Sequence, residues 1–168
     1  MTIRDAATAD FAQILALNHA HVHFLSPLDA DRLALLHAQA AYHRVSAESD
    51  AVVGAFLLAL REGQSYDSPN YRWFASRYPH FLYIDRIVIA TTQQRHGLGR
   101  LLYDDLLAFA RTSGVGVVAC EIDEDPPNPT SMRFHAARGF REVGSQVVGL
   151  RRKRVSLQTL ALGVSNVP

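Results

Sequence analysis

The hexapeptide Gln94-Arg95-His96-Gly97-Leu98-Gly99 stands between an apolar run, Phe81 to Ala90, and an amphipathic one, Gly99 to Arg111. The spacing Q-x-x-G-x-G at such a junction demands strand, tight turn and helix in that order. Glycines at 97 and 99 let the backbone bend sharply and let another group come close. The first N–H groups of a helix have no acceptor within it, and the helix dipole adds partial positive charge there. A turn of this kind is a cradle for a phosphate or pyrophosphate.

The 168 residues suffice for one full-sized hydrophobic core, so a single domain over 1–168 is expected. With 17 basic and 16 acidic residues, nothing in the overall charge points to nucleic acid or an anionic membrane as partner. The single cysteine, Cys120, has no internal disulfide partner, which suits a reducing compartment, and the cytoplasm is the expected location. Arg4, Asp5 and Asp10 interrupt the start of the chain, which therefore lacks a signal-peptide core. The longest strongly apolar stretch, Ala51 to Leu60, is far short of the ~20 residues that span a bilayer.

Around the turn, hydrophobic spacing predicts alternating elements. Ile3-Arg4 reads as a strand and Ala6 to Asn18 as a helix, with Thr8 or Asp10 available as caps. Leu28 to Ala40 reads as a second helix started near Ser26-Pro27, with Leu33, Leu36 and Ala40 on one face. Tyr42 to Val45 is a candidate strand, Glu48 to Asp50 a turn and Val52 to Arg61 a long apolar strand. Residues 62–80 are long for a connection and hold Tyr66, Tyr71, Trp73, Phe74 and Tyr78. Those rings either cover a sheet edge or face a substrate, and Ser68-Pro69 can start a short helix among them. Val115 to Ile122 reads as a central strand covered on both faces. Asn128 caps and Pro129 opens a helix that ends at Gly139, and Phe140 to Val148 with Arg154 to Leu162 form a last hairpin. The basic run Arg151-Arg152-Lys153-Arg154 reads as its solvated turn, and residues after Leu162 as a frayed tail.

Strand, Q-x-x-G-x-G, helix, apolar strand, Asn128-Pro129-x-Ser131-x-x-Phe134 and Gly139-Phe140 together resemble the GNAT superfamily of acetyl-coenzyme A dependent N-acetyltransferases. The resemblance is closest from Tyr83 to Val143. It implies an α/β (α+β) fold: a mixed, mostly antiparallel twisted sheet, with a V-shaped split between strands 4 and 5, flanked by about four helices. It also implies acetyl-coenzyme A as co-substrate and an amine as acceptor, without a metal. The pyrophosphate would then bind the turn, with Gln94, Arg95, His96, Gly97, Leu98, Gly99 and Arg100 contributing. The pantetheine arm would run beside Ile87, Val88 and Ile89 like an added strand. Asn128 would fix it from the opposite side, with Ser131 and Phe134 next to it.

Transfer of an acyl group to an amine requires a base, an N–H donor for the thioester oxygen and an acid for the departing thiolate. The resemblance puts the base on the fourth strand, where Asp85 shares a face with Tyr83 and Ile87. An ion pair of Asp85 with Arg86 or Arg4 is the competing reading. The backbone N–H of Val88 or Ile89 would polarise the thioester. The position after Phe134 is commonly a tyrosine that serves as acid, and this chain has His135 instead. A histidinium, with a reference pKa of ~6.5, could take that role, as could a water, Tyr83 or Cys120. Asn128, Ser131 and His135 share one helix face.

A catalytically weak acyl-coenzyme A binding or sensing module of the same fold is the alternative function. A dinucleotide site is disfavoured because Leu102 stands where a third glycine would, and no Gly-Lys-Ser/Thr follows as in a P-loop. His19, His21 and His23 form an H-x-H-x-H string without a nearby carboxylate or cysteine to complete a metal set, and the resemblance implies that, with Phe24, they influence which amine is admitted. The terminal hairpin is a surface on which two copies could pair as a homodimer.

Overall fold

The computed structural model describes residues 2–23, 25–49, 52–150 and 152–163. Seven strands run along them: β1 (Thr2–Asp5), β2 (Tyr42–Ser49), β3 (Val52–Arg61), β4 (Leu82–Ile89), β5 (Val117–Asp125), β6 (Arg141–Val148) and β7 (Lys153–Ala161). The five α-helices are α1 (Phe11–Ala20), α2 (Ala30–Gln39), α3 (Pro69–Ala75), α4 (Leu98–Thr112) and α5 (Pro129–Ala137), one more than about four. The sheet order is β1-β2-β3-β4-β5-β7-β6. Pairs β1–β2, β2–β3, β5–β7 and β6–β7 are antiparallel, and β4–β5 is parallel. This is the mixed, mostly antiparallel sheet that the resemblance implies. The β4–β5 register joins Leu82 to Val118 and Tyr83 to Ala119, both at the start of β4.

By contacts the chain groups into two compact units, residues 1–60 with 84–109 and residues 61–83 with 110–168. In the first, Ile14, Leu33, Val45, Val53, Phe56 and Val88 form the core, with Phe11, Leu15, Leu25 and Leu28 packed on them. The helix expected from Ala6 begins only at Phe11. The buried Asp10 carboxylate accepts from Arg4 at 2.8 and 2.9 Å and from the Ala7 N–H at 2.8 Å, which holds Thr8–Asp10 as a separate 3-10 turn. The second helix also starts later than Leu28, because Asp29 caps it by accepting from the Arg32 N–H at 2.8 Å. β2 runs past the expected turn to Ser49, since pairing with β3 continues through Ala47–Val53 and Ser49–Val52. Asp50, the end of that expected turn, lies outside the described residues, as does Phe24.

In the second unit, the aromatic segment is core. Tyr66, Tyr71 and Phe74 are buried, and the Tyr71 ring centroid lies 5.6 Å from those of Tyr66, Phe81 and Tyr83. Ser68 caps α3 by accepting from the Tyr71 N–H at 3.3 Å. Trp73 lies against Gly144 of β6, where a Cβ would come within 2.6 Å of its Cζ2, so only glycine fits. β5 starts at Val117, after Val115, because the Val115 N–H is taken by the Ala110 carbonyl at 2.8 Å, closing the end of α4. The basic run is not one turn: Lys153 and Arg154 belong to β7, and Lys153 donates to Asp123 of β5. Arg151 and the tail beyond Gly163 lie outside the described residues.

Candidate active site

The glycine turn leads into α4 in the first unit. The Gly97 carbonyl accepts from the Leu101 N–H at 3.0 Å, so Leu98, Gly99 and Arg100 form the first helical turn, whose N–H groups have no acceptor within the helix. Arg95 (φ 65°) and Gly97 (φ 81°) are both left-handed, a backbone curl of the kind that can turn N–H groups toward an anion. A Cβ built at Gly97 meets nothing within 4 Å. The turn is open, and it fits a phosphate-bearing ligand. Leu98 is buried and anchors it, whereas Gln94, Arg95, His96 and Arg100 are exposed. The Gln94 amide nitrogen folds back to the Ile89 carbonyl at 3.3 Å and faces His21 Nε2 at 3.4 Å.

Along β4, Val88 is buried, while Ile87 and Ile89 are half-buried. Asp85 has a side chain 4 % exposed, and its Oδ2 accepts from Arg86 Nε at 2.6 Å. The buried Arg86 also donates to Asn18 Oδ1 at 2.8 Å and to Ser26 Oγ at 3.2 Å. The Arg86 half of the competing reading is therefore present in the structure, while the Arg4 guanidinium is engaged by Asp10.

In the second unit, Asn128 Oδ1 accepts from the Ser131 N–H at 3.1 Å and caps α5. One turn on, His135 is 5 % exposed, between the edges of Phe134 (centroids 5.4 Å apart) and Phe140 (5.1 Å). Its Nδ1 lies 2.8 Å from the Ser131 carbonyl, an arrangement in which Nδ1–H donates. Burial pushes the ring below the ordinary histidine range, partly offset by the bond to Ser131, so it is neutral near pH 7. Asn128, Ser131 and His135 come together as the helix spacing predicts.

Residues 8–140 match the acetyltransferase (GNAT) family. The chain belongs to that family. It is thus an acyltransferase of the GNAT type, with an N-acetyltransferase function of the general kind. Among solved structures it is similar to yncA from Salmonella typhimurium, described with its cofactor acetyl-CoA, at 28% identity and TM-score 0.73, covering 100% of this chain and 97% of that one. Ard1 from Thermoplasma volcanium shares the fold at 15% identity and TM-score 0.78, over 96% and 97% of the two chains. The ribosomal-protein-alanine N-acetyltransferase from Brucella melitensis shares it at 23% identity and TM-score 0.72, over 96% and 100%. No curated protein matches the sequence.

Two groups of this GNAT chain were not legible as neighbours. His21 sits beside Gln94, although 73 residues separate them, and only the tertiary fold brings the end of α1 to the turn. Tyr83 Oη donates to Glu121 Oε2 at 2.7 Å, pairing a β4 phenol with a β5 carboxylate. Cys120 is buried and burial drives its thiol well up, which fits a packing residue rather than a nucleophile. Among the described residues no three His, Cys, Asp or Glu side chains are grouped to hold a metal. Nor is any helix among them long and apolar enough to cross a membrane.

Proposed function

We propose that this protein moves an acetyl group from acetyl-CoA to a primary amine of a small molecule or peptide, by direct transfer with both substrates bound. The open, left-handed turn at Arg95–Gly97 on the N-terminus of α4, in a chain of the GNAT family, carries this reading. The residues 94–100 would take the pyrophosphate, and the backbone of Ile87, Val88 and Ile89 the pantetheine. Asn128 spends its Oδ1 on the cap, which leaves its amide N–H groups to meet the same arm. Ser131 and Phe134 line that helix face. Holding both reactants in place supplies much of the rate gain of such a reaction.

The reaction forms an amide C–N bond and breaks the thioester C–S bond. One proton leaves the ammonium and one reaches the departing thiolate. Asp85 is the proposed acceptor of the first, sharing its carboxylate with Arg86. His135 is the proposed donor of the second. Its lowered pKa makes the protonated ring a stronger acid but a scarcer one at neutral pH, so this role predicts activity that falls as pH rises.

The Asp85–Arg86 pair and the neutral, tethered His135 favour the second reading, a binding module for acyl-CoA with little turnover. Thiol release from acetyl-CoA, screened over polyamines, amino acids, aminoglycosides and peptide N-termini, separates the two. Turnover of any amine excludes the module; binding of acetyl-CoA with no turnover excludes the transferase. Where an amine is found, His135→Phe should lower kcat at least tenfold with acetyl-CoA affinity nearly unchanged. Unchanged kcat removes His135 from the chemistry.

A further inference from the structure

Residues 25–29, which lead into α2, are tied to β4 through Ser26. Arg86 is 4 % exposed and points its three nitrogens at three different elements. Nε meets Asp85 on β4 at 2.6 Å, Nη1 meets Asn18 at the end of α1 at 2.8 Å, and Nη2 meets Ser26 Oγ in that segment at 3.2 Å. Nη1 also reaches the Ser26 carbonyl at 3.4 Å, which accepts from Asn18 Nδ2 at 3.3 Å as well. Asn18 is 1 % exposed, so the Arg86–Asn18 end of the network is closed to water, while Ser26 at its other end is exposed. A guanidinium presents three nitrogens in one rigid plane and can meet three separated partners at once, whereas an ammonium offers its three donors from a single nitrogen.

We propose that Arg86 is a positioning residue that selects among amines by fixing the 25–29 segment next to Asp85. The inference rests on the reading that the amine meets Asp85. One guanidinium bridges the carboxylate and Ser26, so an acceptor that reaches that carboxylate must fit beside the segment. Leu25 directly precedes Ser26 and packs on the core of the first unit, so its placement goes with that of Ser26. The chemistry at Asp85 and the shape of the acceptor wall are thus coupled through one side chain. Arg86 acts here by placement and exchanges no proton with substrate.

The test uses Ser26→Ala, which removes the hydroxyl and leaves the Asp85–Arg86 contact, and Arg86→Lys, which keeps the charge and loses the fork. With the fastest amine from the thiol-release screen, both variants should raise the amine KM roughly tenfold, the equivalent of one lost charged hydrogen bond. The acetyl-CoA KM should stay within about twofold, since the phosphate turn is untouched. Amide hydrogen exchange over residues 25–29 should quicken in both. Unchanged amine KM in Ser26→Ala overturns the proposal, as does a parallel rise in both KM values, which marks a general structural effect. If no amine turns over in the wild-type protein, the transferase reading fails and the selective role with it. Exchange then still decides whether Arg86 holds the segment, and wild-type rates in both variants reject that too.

Discussion

His43 of β2 is 8 % exposed, and its Nδ1 lies 2.8 Å from Nδ1 of His37 on α2. One ring must donate and the other accept, so the two share a single proton between them. Burial first, and then His37, push His43 down to about 4. In the unfolded chain it titrates near ~6.5. Between those values the unfolded state binds more protons, so stability is complete above pH 6.5 and is lost progressively as pH falls toward 4. The loss is on the order of 3 kcal/mol. Urea unfolding at pH 7.5 and pH 5 should show about 2 kcal/mol of this fall in the wild-type protein and a smaller one in His43→Phe. Nothing in the sequence marked His43, because its environment comes from α2 and from Phe56 on β3, not from its neighbours in the strand.

The elements divide into those with local signals and those without. Asn128-Pro129 predicts the start of α5, and the cap, the buried His135 and the left-handed Gly139 all stand where that spacing puts them. Asn128→Ala should cost about 1 kcal/mol of stability through the lost cap. It should also weaken acetyl-CoA binding if the amide meets the pantetheine, which calorimetric titration would measure. Ser68-Pro69 was equally legible as the start of α3. Edges set by distant partners were not. The 3-10 turn before α1 depends on Arg4 reaching Asp10, and the end of β2 depends on its pairing with β3. A basic run looked like one turn until β7 paired with β5 and drew Lys153 to Asp123.

For the whole molecule, Asp85 and the 87–100 stretch belong to one compact unit and Asn128 to His135 to the other. A ligand that binds only the folded chain stabilises it, by about 2.7 kcal/mol at a hundredfold excess over Kd. Acetyl-CoA should therefore raise Tm in a thermal scan, and Gly97→Ala, which strains a left-handed residue, should reduce that shift. An equal shift in the variant argues against the turn as the binding site. By itself the sequence determined the strand, turn and helix at 81–111, the capped helix at 129–137 and the family to which they point. Those are carried by short-range spacing, capping and backbone freedom, which act over a few residues. Only the tertiary structure decided that the Asp85 carboxylate is held by Arg86, that Ser26 shares the same guanidinium and that His135 is neutral. Burial and the choice of charged partner depend on residues that folding brings together, as Arg86 meets Asn18 across 68 positions.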